Sequence, residues 1–242
     1  MVEYIGLEKG DFMIKFVFLD LDNTLLDFRL GEYVALKKAL KEMQIPADDR
    51  VAERYLEINH ACWRALERGE ITRDQVLYGR FEKLFSELGI DASAKETQDL
   101  YQELLSREHE FMPGAKELLD GLKNSGKYHL YIATNGIPEV QYPRISDSAI
   151  GSYFDEIFIS YEIGYPKPKK EFFEGCFAKI ADFDPKEAII IGDSLTSDVQ
   201  GGINAGMLTC HYNVWKDEQI EIKPDYTINN LSELIPLLES IK

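Results

Sequence analysis

The sequence predicts an α/β protein built on a doubly wound parallel sheet, with an all-helical segment inserted after the first strand. Three observations carry that expectation. Short apolar runs alternate with helical stretches from Pro113 onward, the pattern of βαβ units. One apolar run stands apart near the start and is followed by residues 28–110, which hold helical periodicity throughout. The most strand-like runs end abruptly in polar clusters, the place where open α/β sheets bind ligands.

The first run, Ile14 with Phe16 to Leu19, reads as a buried parallel strand. It ends in Asp20 and Asp22, spaced i, i+2, followed by Asn23 and Thr24. Taken alone, this stretch equally describes a strand running into an Asx-rich turn. Four helices are then expected. Leu30 to Met43 form one stripe, stopped by Pro46, and Val51 to Leu66 a second, stopped by Gly69. Thr72 and Gln75 form a capping box ahead of Leu77, Phe81, Leu84 and Leu88, with Gly89 as the terminator. Ser93 and Glu96 repeat the device before Thr97, Leu100, Tyr101, Leu104 and Leu105.

After Pro113-Gly114 the alternation begins. Helix 115–123 leads to strand 128–133 and Thr134-Asn135, then a helix over 138–149 that either begins at Pro143 or kinks there. A short strand, 156–160, precedes the loop Lys167-Pro168 and a helix over 170–180. The most aliphatic strand, 188–191, ends in Gly192-Asp193-Ser194 and is followed by a helix over 197–205 carrying Asp198. Strands at 208–212 and 226–228 and a helix at 231–240, interrupted by Pro236, complete the order.

Composition narrows the function. The 242 residues are 45% hydrophobic and 29% charged, ordinary for a globular protein. A net charge of −16 argues against a nucleic-acid polymer or a membrane surface as partner, since both need a basic face. A small anionic substrate is compatible if local cations or a metal receive it. Cys62, Cys176 and Cys210 form no CxxC pair and read as small apolar side chains in a reducing, cytoplasmic compartment. No signal-peptide core or membrane-length apolar run is present.

Parallel strands bring their carboxyl ends to one edge, so Asp20/Asp22, Thr134/Asn135, Lys167 and Asp193/Asp198 should converge. Grouped carboxylates repel one another unless a cation sits among them, and hard oxygen ligands beside a phosphate favour Mg2+. Thr134 offers a hydroxyl, Asn135 a backbone N–H, and Lys167 a point charge for a phosphoryl oxygen. The combination describes metal-assisted phosphoryl transfer with a carboxylate nucleophile.

These motifs, Asp20-Leu-Asp-Asn-Thr, Thr134-Asn-Gly, Lys167-Pro and Gly192-Asp-Ser-Leu-Thr-Ser-Asp198, occur in order and span the chain from Met13. In them the sequence resembles the haloacid dehalogenase (HAD)-like hydrolase superfamily, and the helical insertion resembles its C1-type cap. The resemblance implies a catalytic core of residues 13–27 and 111–242, a cap of residues 28–110 and an N-terminal extension of residues 1–12. It implies Asp20 as nucleophile forming an aspartyl-phosphate, and Asp22 as proton donor and acceptor whose backbone carbonyl also binds Mg2+. Asp193 would complete the metal site, with Asp198 as a ligand or ligand-orienting carboxylate; a first-turn acid complementing the helix dipole is its alternative. Thr134, Asn135 and Lys167 would hold the phosphoryl group. Thr24 is either part of the site or a turn residue.

The second carboxylate separates this chain from the dehalogenases of the fold, whose halide leaving group needs no proton. Phe111-Met-Pro-Gly-Ala115, Gly79-Arg-Phe-Glu82, Gly201 to Gly206 and Pro224-Asp-Tyr226 resemble the pyrimidine 5'-nucleotidase branch. The N-acylneuraminate-9-phosphatase, phosphoglycolate phosphatase and sugar phosphomutase branches stay open, as does a non-catalytic phosphate-binding protein. Tyr165-Pro166 and Pro143 depart from the usual pattern. Asn59, His60 and Trp63 fall within about one helical turn and are either base-reading groups or cap core and surface. Arg80 either meets a base or ribose or pairs with Glu82 or Glu87. Monomer and dimer are equally compatible with the sequence.

Met13 directly precedes the first strand, so residues 1–12 are expected to be dispensable. A chain beginning at Met13 should fold and keep its activity; insolubility or loss of turnover would refute that.

Overall fold

The computed structural model describes residues 13–215 and 221–241. The extension expected over residues 1–12 lies outside them. Among the described residues no helix is long and apolar enough to cross a membrane.

The chain runs β1 (Phe16–Leu19), α1 (Phe28–Glu42), α2 (Asp49–Glu67), α3 (Arg73–Leu77), α4 (Gly79–Leu88) and α5 (Ala94–Leu105). It continues through α6 (Ala115–Ser125), β2 (His129–Thr134), α7 (Pro138–Asp147), β3 (Glu156–Ile159), α8 (Ser160–Ile163) and α9 (Lys170–Phe177). It ends with β4 (Ala188–Gly192), α10 (Gln200–Ala205), β5 (Leu208–Tyr212), β6 (Tyr226–Ile228) and α11 (Leu234–Ser240). The strands described form one parallel sheet in the order β3-β2-β1-β4-β5-β6. Strand order reverses at β1, which lies between β2 and β4, and this switch point is where such sheets open a crevice for ligands.

Both faces of the sheet are covered, as the unbroken apolar strands require. Side chains alternate along β1. Val17 and Leu19 pack with α6 and α11 through Leu118, Leu119, Leu122, Leu234 and Leu238. Phe16 and Phe18 pack on the opposite face with Phe172, Phe173 and Cys176 of α9. Cys176 and Cys210 are buried and Cys62 half-buried, all three unpaired, as expected of small apolar side chains.

The insertion departs from the expected four helices. The Thr72–Gln75 capping box forms, but the helix it starts breaks at Tyr78 and resumes as α4. Gly79, a poor helix former, sits at the break. Ser93 accepts from the Glu96 N–H, one half of the expected box. In the sheet part, α7 starts at Pro138 and continues through Pro143 instead of beginning there. Proline suits a first helical position, whose N–H has no intrahelical partner. Pro236 likewise falls in the first turn of α11, after a 3₁₀ turn at Leu231–Glu233. The helix expected over 197–205 is instead a π turn, Leu195–Val199, leading into α10.

Two chain segments join the insertion to the sheet and pair with each other. Leu26 bridges Phe111, the Asp27 N–H donates to Glu110 O at 2.8 Å, and the Met112 N–H donates to Leu25 O at 2.9 Å. The insertion has its own apolar cluster, built on Leu36, Leu40, Tyr55, Phe81, Leu84 and Tyr101, and Ile137 and Val140 from the start of α7 join it.

A polar knot is buried inside that cluster. Asn59 donates to Glu32 Oε1 at 2.6 Å and accepts from Arg80 Nη1 at 2.7 Å. Arg80 also donates twice to Gln98 Oε1, at 3.1 and 2.9 Å. Neither expected Arg80 partner is met, since Glu87 pairs with Arg54 and Glu82 is exposed. Arg80 is withdrawn among the rings of Tyr101 and Tyr55, 5.0 and 5.7 Å away. Among the described residues Glu32 Oε2 has no hydrogen-bond partner. Burial pushes the Glu32 carboxyl up to about 7, against the pull of Arg80 and Asn59. A raised carboxyl favours the folded state at low pH, and that contribution is lost as pH rises from about 4.5 to about 7. Glu32→Gln should therefore gain stability over the native chain across this window, by at most about 3 kcal/mol at ~1.4 kcal/mol per pH unit. Urea denaturation at pH 5 and pH 8 measures it, and a pH-independent difference would contradict the assignment.

Candidate active site

Three sheet neighbours build the site, because β1, β2 and β4 end side by side. Asp20 leaves β1 with its N–H on Ile191 O at 2.9 Å. Thr134 ends β2 and Gly192-Asp193 ends β4. Asn23 turns the chain after Asp22 with φ +61°, a left-handed conformation asparagine tolerates. Its Oδ1 accepts from the Arg29 N–H in the first turn of α1.

Lys167 lies at the centre, 1% exposed. Its Nζ donates to Asp20 Oδ1 at 2.7 Å, Asp198 Oδ1 at 2.6 Å and Ala133 O at 2.5 Å. The resemblance gives this charge two tasks, holding phosphoryl oxygens and offsetting the carboxylates; the second is met here, with all three protons engaged inside the protein. A phosphoryl oxygen would have to take the place of one acceptor. Burial alone would lower the Lys167 ammonium, but Asp198 and Asp20 outweigh it and hold the group above the ordinary lysine range.

Asn135 has a side-chain task that the sequence did not suggest. Its side chain, not its backbone, anchors the lysine loop: Oδ1 accepts from the Lys167 N–H at 2.8 Å and Nδ2 donates to Lys167 O at 3.0 Å. Asp198 accepts from Lys167 on Oδ1 and from the Ser194 N–H on Oδ2, at 3.1 Å. The π turn aims it there, since the N–H groups of Asp198 and Val199 both reach Ser194 O. A Cβ at Gly192 would overlap the Asp198 carboxyl group, which explains the glycine at the end of β4.

Asp20, Asp193 and Asp198 each offer a carboxylate oxygen within 4.8 Å of the others. Burial pushes Asp20 up to about 7, with Asp198 and Asp22 adding to the rise and Lys167 opposing it. Burial also lifts Asp193 well above the carboxylate range, and Asp20 and Asp198 lift it further. Three converging carboxylates that resist being charged together, all hard oxygen donors, fit a divalent cation.

Asp22 points to a separate set of partners that the sequence did not identify. Arg144 Nη1 donates to its Oδ1 at 2.5 Å and Gln141 Nε2 to its Oδ2 at 2.8 Å. Gln141 Nε2 also reaches Thr134 Oγ1, at 2.8 Å. Gln141 and Arg144 are spaced i, i+3 on α7, which in the sequence reads as an ordinary helix face. Among the described residues Thr24 Oγ1 is buried without a hydrogen-bond partner.

A cavity of about 340 Å³ runs from Asp20, Thr134 and Asp193 up to the insertion, where Asn59, His60, Trp63, Arg80 and Gln102 line it with Phe28, Leu77 and Leu105. Several contacts tie the insertion to the rest of the chain around this cavity, among them those of Arg73 and Glu67. Arg73 Nη1 donates to Asn135 O and Gly136 O, both at 3.0 Å, and Thr196 Oγ1 donates to Glu67 Oε2 at 2.9 Å.

The cavity floor is thus a lysine-bridged carboxylate cluster at the carboxyl edge of a doubly wound sheet, roofed by a helical insertion. The chain belongs to the haloacid dehalogenase-like hydrolase family, whose model matches residues 14–206. It is 39% identical over 220 residues to the HAD-hydrolase YfnB of Bacillus subtilis (strain 168), covering 90% of this chain and 93% of YfnB. It is 36% identical to the pyrimidine 5'-nucleotidase PynA of Streptococcus pneumoniae, over 93% of this chain and 95% of PynA. Identity to the pyrimidine 5'-nucleotidase YjjG of Escherichia coli is 30%, over 92% and 96% of the two chains. A crystal structure of YfnB bound to magnesium, described as revealing interdomain movement, superposes with a TM-score of 0.89 at 37% identity, over 93% of this chain and 99% of that one.

Gly192→Ala should displace Asp198 and loosen both the Lys167 pair and the carboxylate trio. The affinity for a divalent cation, followed by calorimetry, should fall at least about tenfold. Unchanged affinity would mean that Asp198 plays no part in holding the ion.

Proposed function

We propose that this protein is a Mg2+-dependent phosphoric monoester hydrolase whose substrates are small phosphate esters, in particular pyrimidine nucleoside 5'-monophosphates. One observation supports this reading most: Asp20 and Asp22, two residues apart, sit in opposite chemical surroundings. Asp20 belongs to the carboxylate trio and pairs with Lys167, whereas Asp22 stands outside it, a quarter exposed, against Arg144 and Gln141. A nucleophile held beside a cation and a separate group able to carry a proton are what phosphate-ester hydrolysis needs, and a halide leaving group would need the first alone. The names of PynA and YjjG support the nucleotide as substrate class.

In this mechanism an Asp20 carboxylate oxygen attacks phosphorus and the ester oxygen leaves, taking a proton from the Asp22 carboxyl group. Asp22, now a carboxylate, accepts a proton from water as the water oxygen attacks the phosphorus of the aspartyl-phosphate. Inorganic phosphate departs and Asp20 is regenerated. Thr134 and Lys167 flank the phosphoryl position, and Asn135 keeps the Lys167 loop in place. Asp20, Asp193 and the Asp22 backbone carbonyl would hold Mg2+, with Asp198 beside them. When bound, the ion supplies positive charge to the phosphoryl group and relieves the repulsion within the trio. Residues 28–110 act as a cap over the cavity, and Arg73 and Glu67 are among its contacts with the rest of the chain. A cytoplasmic location fits the three unpaired cysteines.

A screen over nucleoside monophosphates, sugar phosphates, phosphoglycolate and acylneuraminate 9-phosphate with Mg2+ should release phosphate fastest from the pyrimidine nucleotides. Asp20→Asn should lower turnover by about 10⁴-fold or more. No phosphate release from any of these esters would overturn the reading, and isomerisation of a sugar phosphate would replace it with a mutase.

A further inference from the structure

The geometry points to Arg144, assisted by Gln141, as the positioning residue that fixes the Asp22 carboxylate and ties its orientation to the linker carrying the helical insertion. This inference rests on the phosphatase reading and assigns a partner that the reading itself does not require.

Arg144 is fully buried. A buried guanidinium is strongly unfavourable unless its N–H groups find acceptors. Here the acceptors come from three separate parts of the chain. Nη1 donates to Asp22 Oδ1 and to Gln141 Oε1, at 2.5 and 2.8 Å, and Nε donates to Glu108 O at 2.8 Å. The Phe28 ring lies 5.6 Å from the guanidinium carbon. Nη2 has no partner among the described residues. The group is thus seated by what Nη1 and Nε hold, with one nitrogen left unsatisfied.

Gln141 completes the arrangement. It accepts from Arg144 through Oε1 and uses Nε2 to meet both Asp22 Oδ2 and Thr134 Oγ1. Each oxygen of Asp22 therefore has its own donor, both from α7. Two-point attachment fixes the rotation of a carboxylate, which a single hydrogen bond would leave free. Glu108 lies in the segment that returns from the insertion, two residues before Glu110, whose carbonyl takes the Asp27 N–H. The chain Glu108–Arg144–Asp22 thus joins the linker to the proton-transferring group through one rigid, planar side chain. Lysine could not substitute, because a single ammonium on a flexible stem lacks the fixed fork that spans these acceptors. Gly136 belongs to the same device, since a Cβ there would overlap the Gln141 side chain.

The test separates positioning from simple support of the fold. Arg144→Met, Arg144→Lys and Gln141→Leu are assayed on uridine 5'-monophosphate and on 4-nitrophenyl phosphate. The nitrophenolate departs without a proton, whereas the nucleoside alkoxide requires one. Arg144→Met should lower kcat for the nucleotide roughly 10²-fold, the lower range of what general acid catalysis supplies, with KM nearly unchanged. The pre-steady-state burst of nitrophenolate should change less than about threefold. In an Asp22→Asn background Arg144→Met should add no further loss, and Arg144→Lys should fail to restore the nucleotide rate. Should Arg144→Met not fold, Gln141→Leu carries the same contrast at roughly tenfold. Equal losses on both substrates, or losses that multiply with Asp22→Asn, would reduce Arg144 to a structural role. If the native enzyme releases phosphate from neither ester, the phosphatase reading fails and this inference goes with it; full native turnover without the substrate contrast defeats the positioning inference alone.

Discussion

The ammonium of Lys167 governs the centre. It is buried, and it contacts Asp20, Asp198 and the Ala133 carbonyl at once. Removing such a charge from water is unfavourable by several kcal/mol unless its partners compensate. The compensation here depends on sheet order: Asp20 follows β1, Ala133 is in β2, and Asp198 follows β4, the three adjacent strands. One ammonium against the three carboxylates of Asp20, Asp193 and Asp198 still leaves the cluster short of positive charge. Burial, reinforced by the neighbouring carboxylates, raises Asp20 and Asp193 despite Lys167, and a cluster so hard to charge suits a divalent cation.

The supporting parts can be ranked by how directly they serve that ammonium. Asn135 clamps the Lys167 backbone from both its amide groups, so the lysine enters the centre on a fixed loop. Gly192 leaves room for the Asp198 carboxyl group, and the π turn after Ser194 delivers it. The apolar sheet beneath is sealed on both faces, by Leu118 and Leu119 on one and Phe172 and Phe173 on the other. Water is thereby kept from the lower side of the cluster, which is what makes its charges matter.

The strands were legible in the sequence because their signal is local: an apolar run that stops at a carboxylate needs no knowledge of the rest of the chain. The convergence of Asp20, Asp193 and Asp198 was legible for a related reason, since parallel strands share an edge. The directions of side chains were not. That the Lys167 ammonium takes three acceptors at once, and that the Asn135 amide spans another loop, follows only from the folded chain. Arg80 reads as a pocket or surface cation; it lines the cavity, but its guanidinium is engaged in the Asn59–Gln98 knot. Gln141 and Arg144 were invisible because i, i+3 polar residues around a proline look like any solvated helix face. Their contacts with Asp22 and Glu108 arise from where α7 docks, which is a tertiary fact. The break at Tyr78 was missed for the opposite reason, because the stripe Leu77, Phe81, Leu84 continues across it.

Asp20 and Asp22 show how the fold separates two identical side chains. In an extended strand, residues two apart face the same way. Here the strand stops at Leu19, and the turn is pinned from below by Leu21 and Leu25, both fully buried. The N–H groups of Leu25 and Leu26 close on Leu21 O, and Asn23 takes the left-handed conformation that reverses the chain. Asp20 consequently stays with β4, its N–H on Ile191, while Asp22 is carried across to α7. One carboxylate enters surroundings short of cations and the other meets two committed donors. The difference between the two carboxylates' surroundings therefore lies in a five-residue turn whose apolar members do the sorting, since neither aspartate has any chemical feature the other lacks.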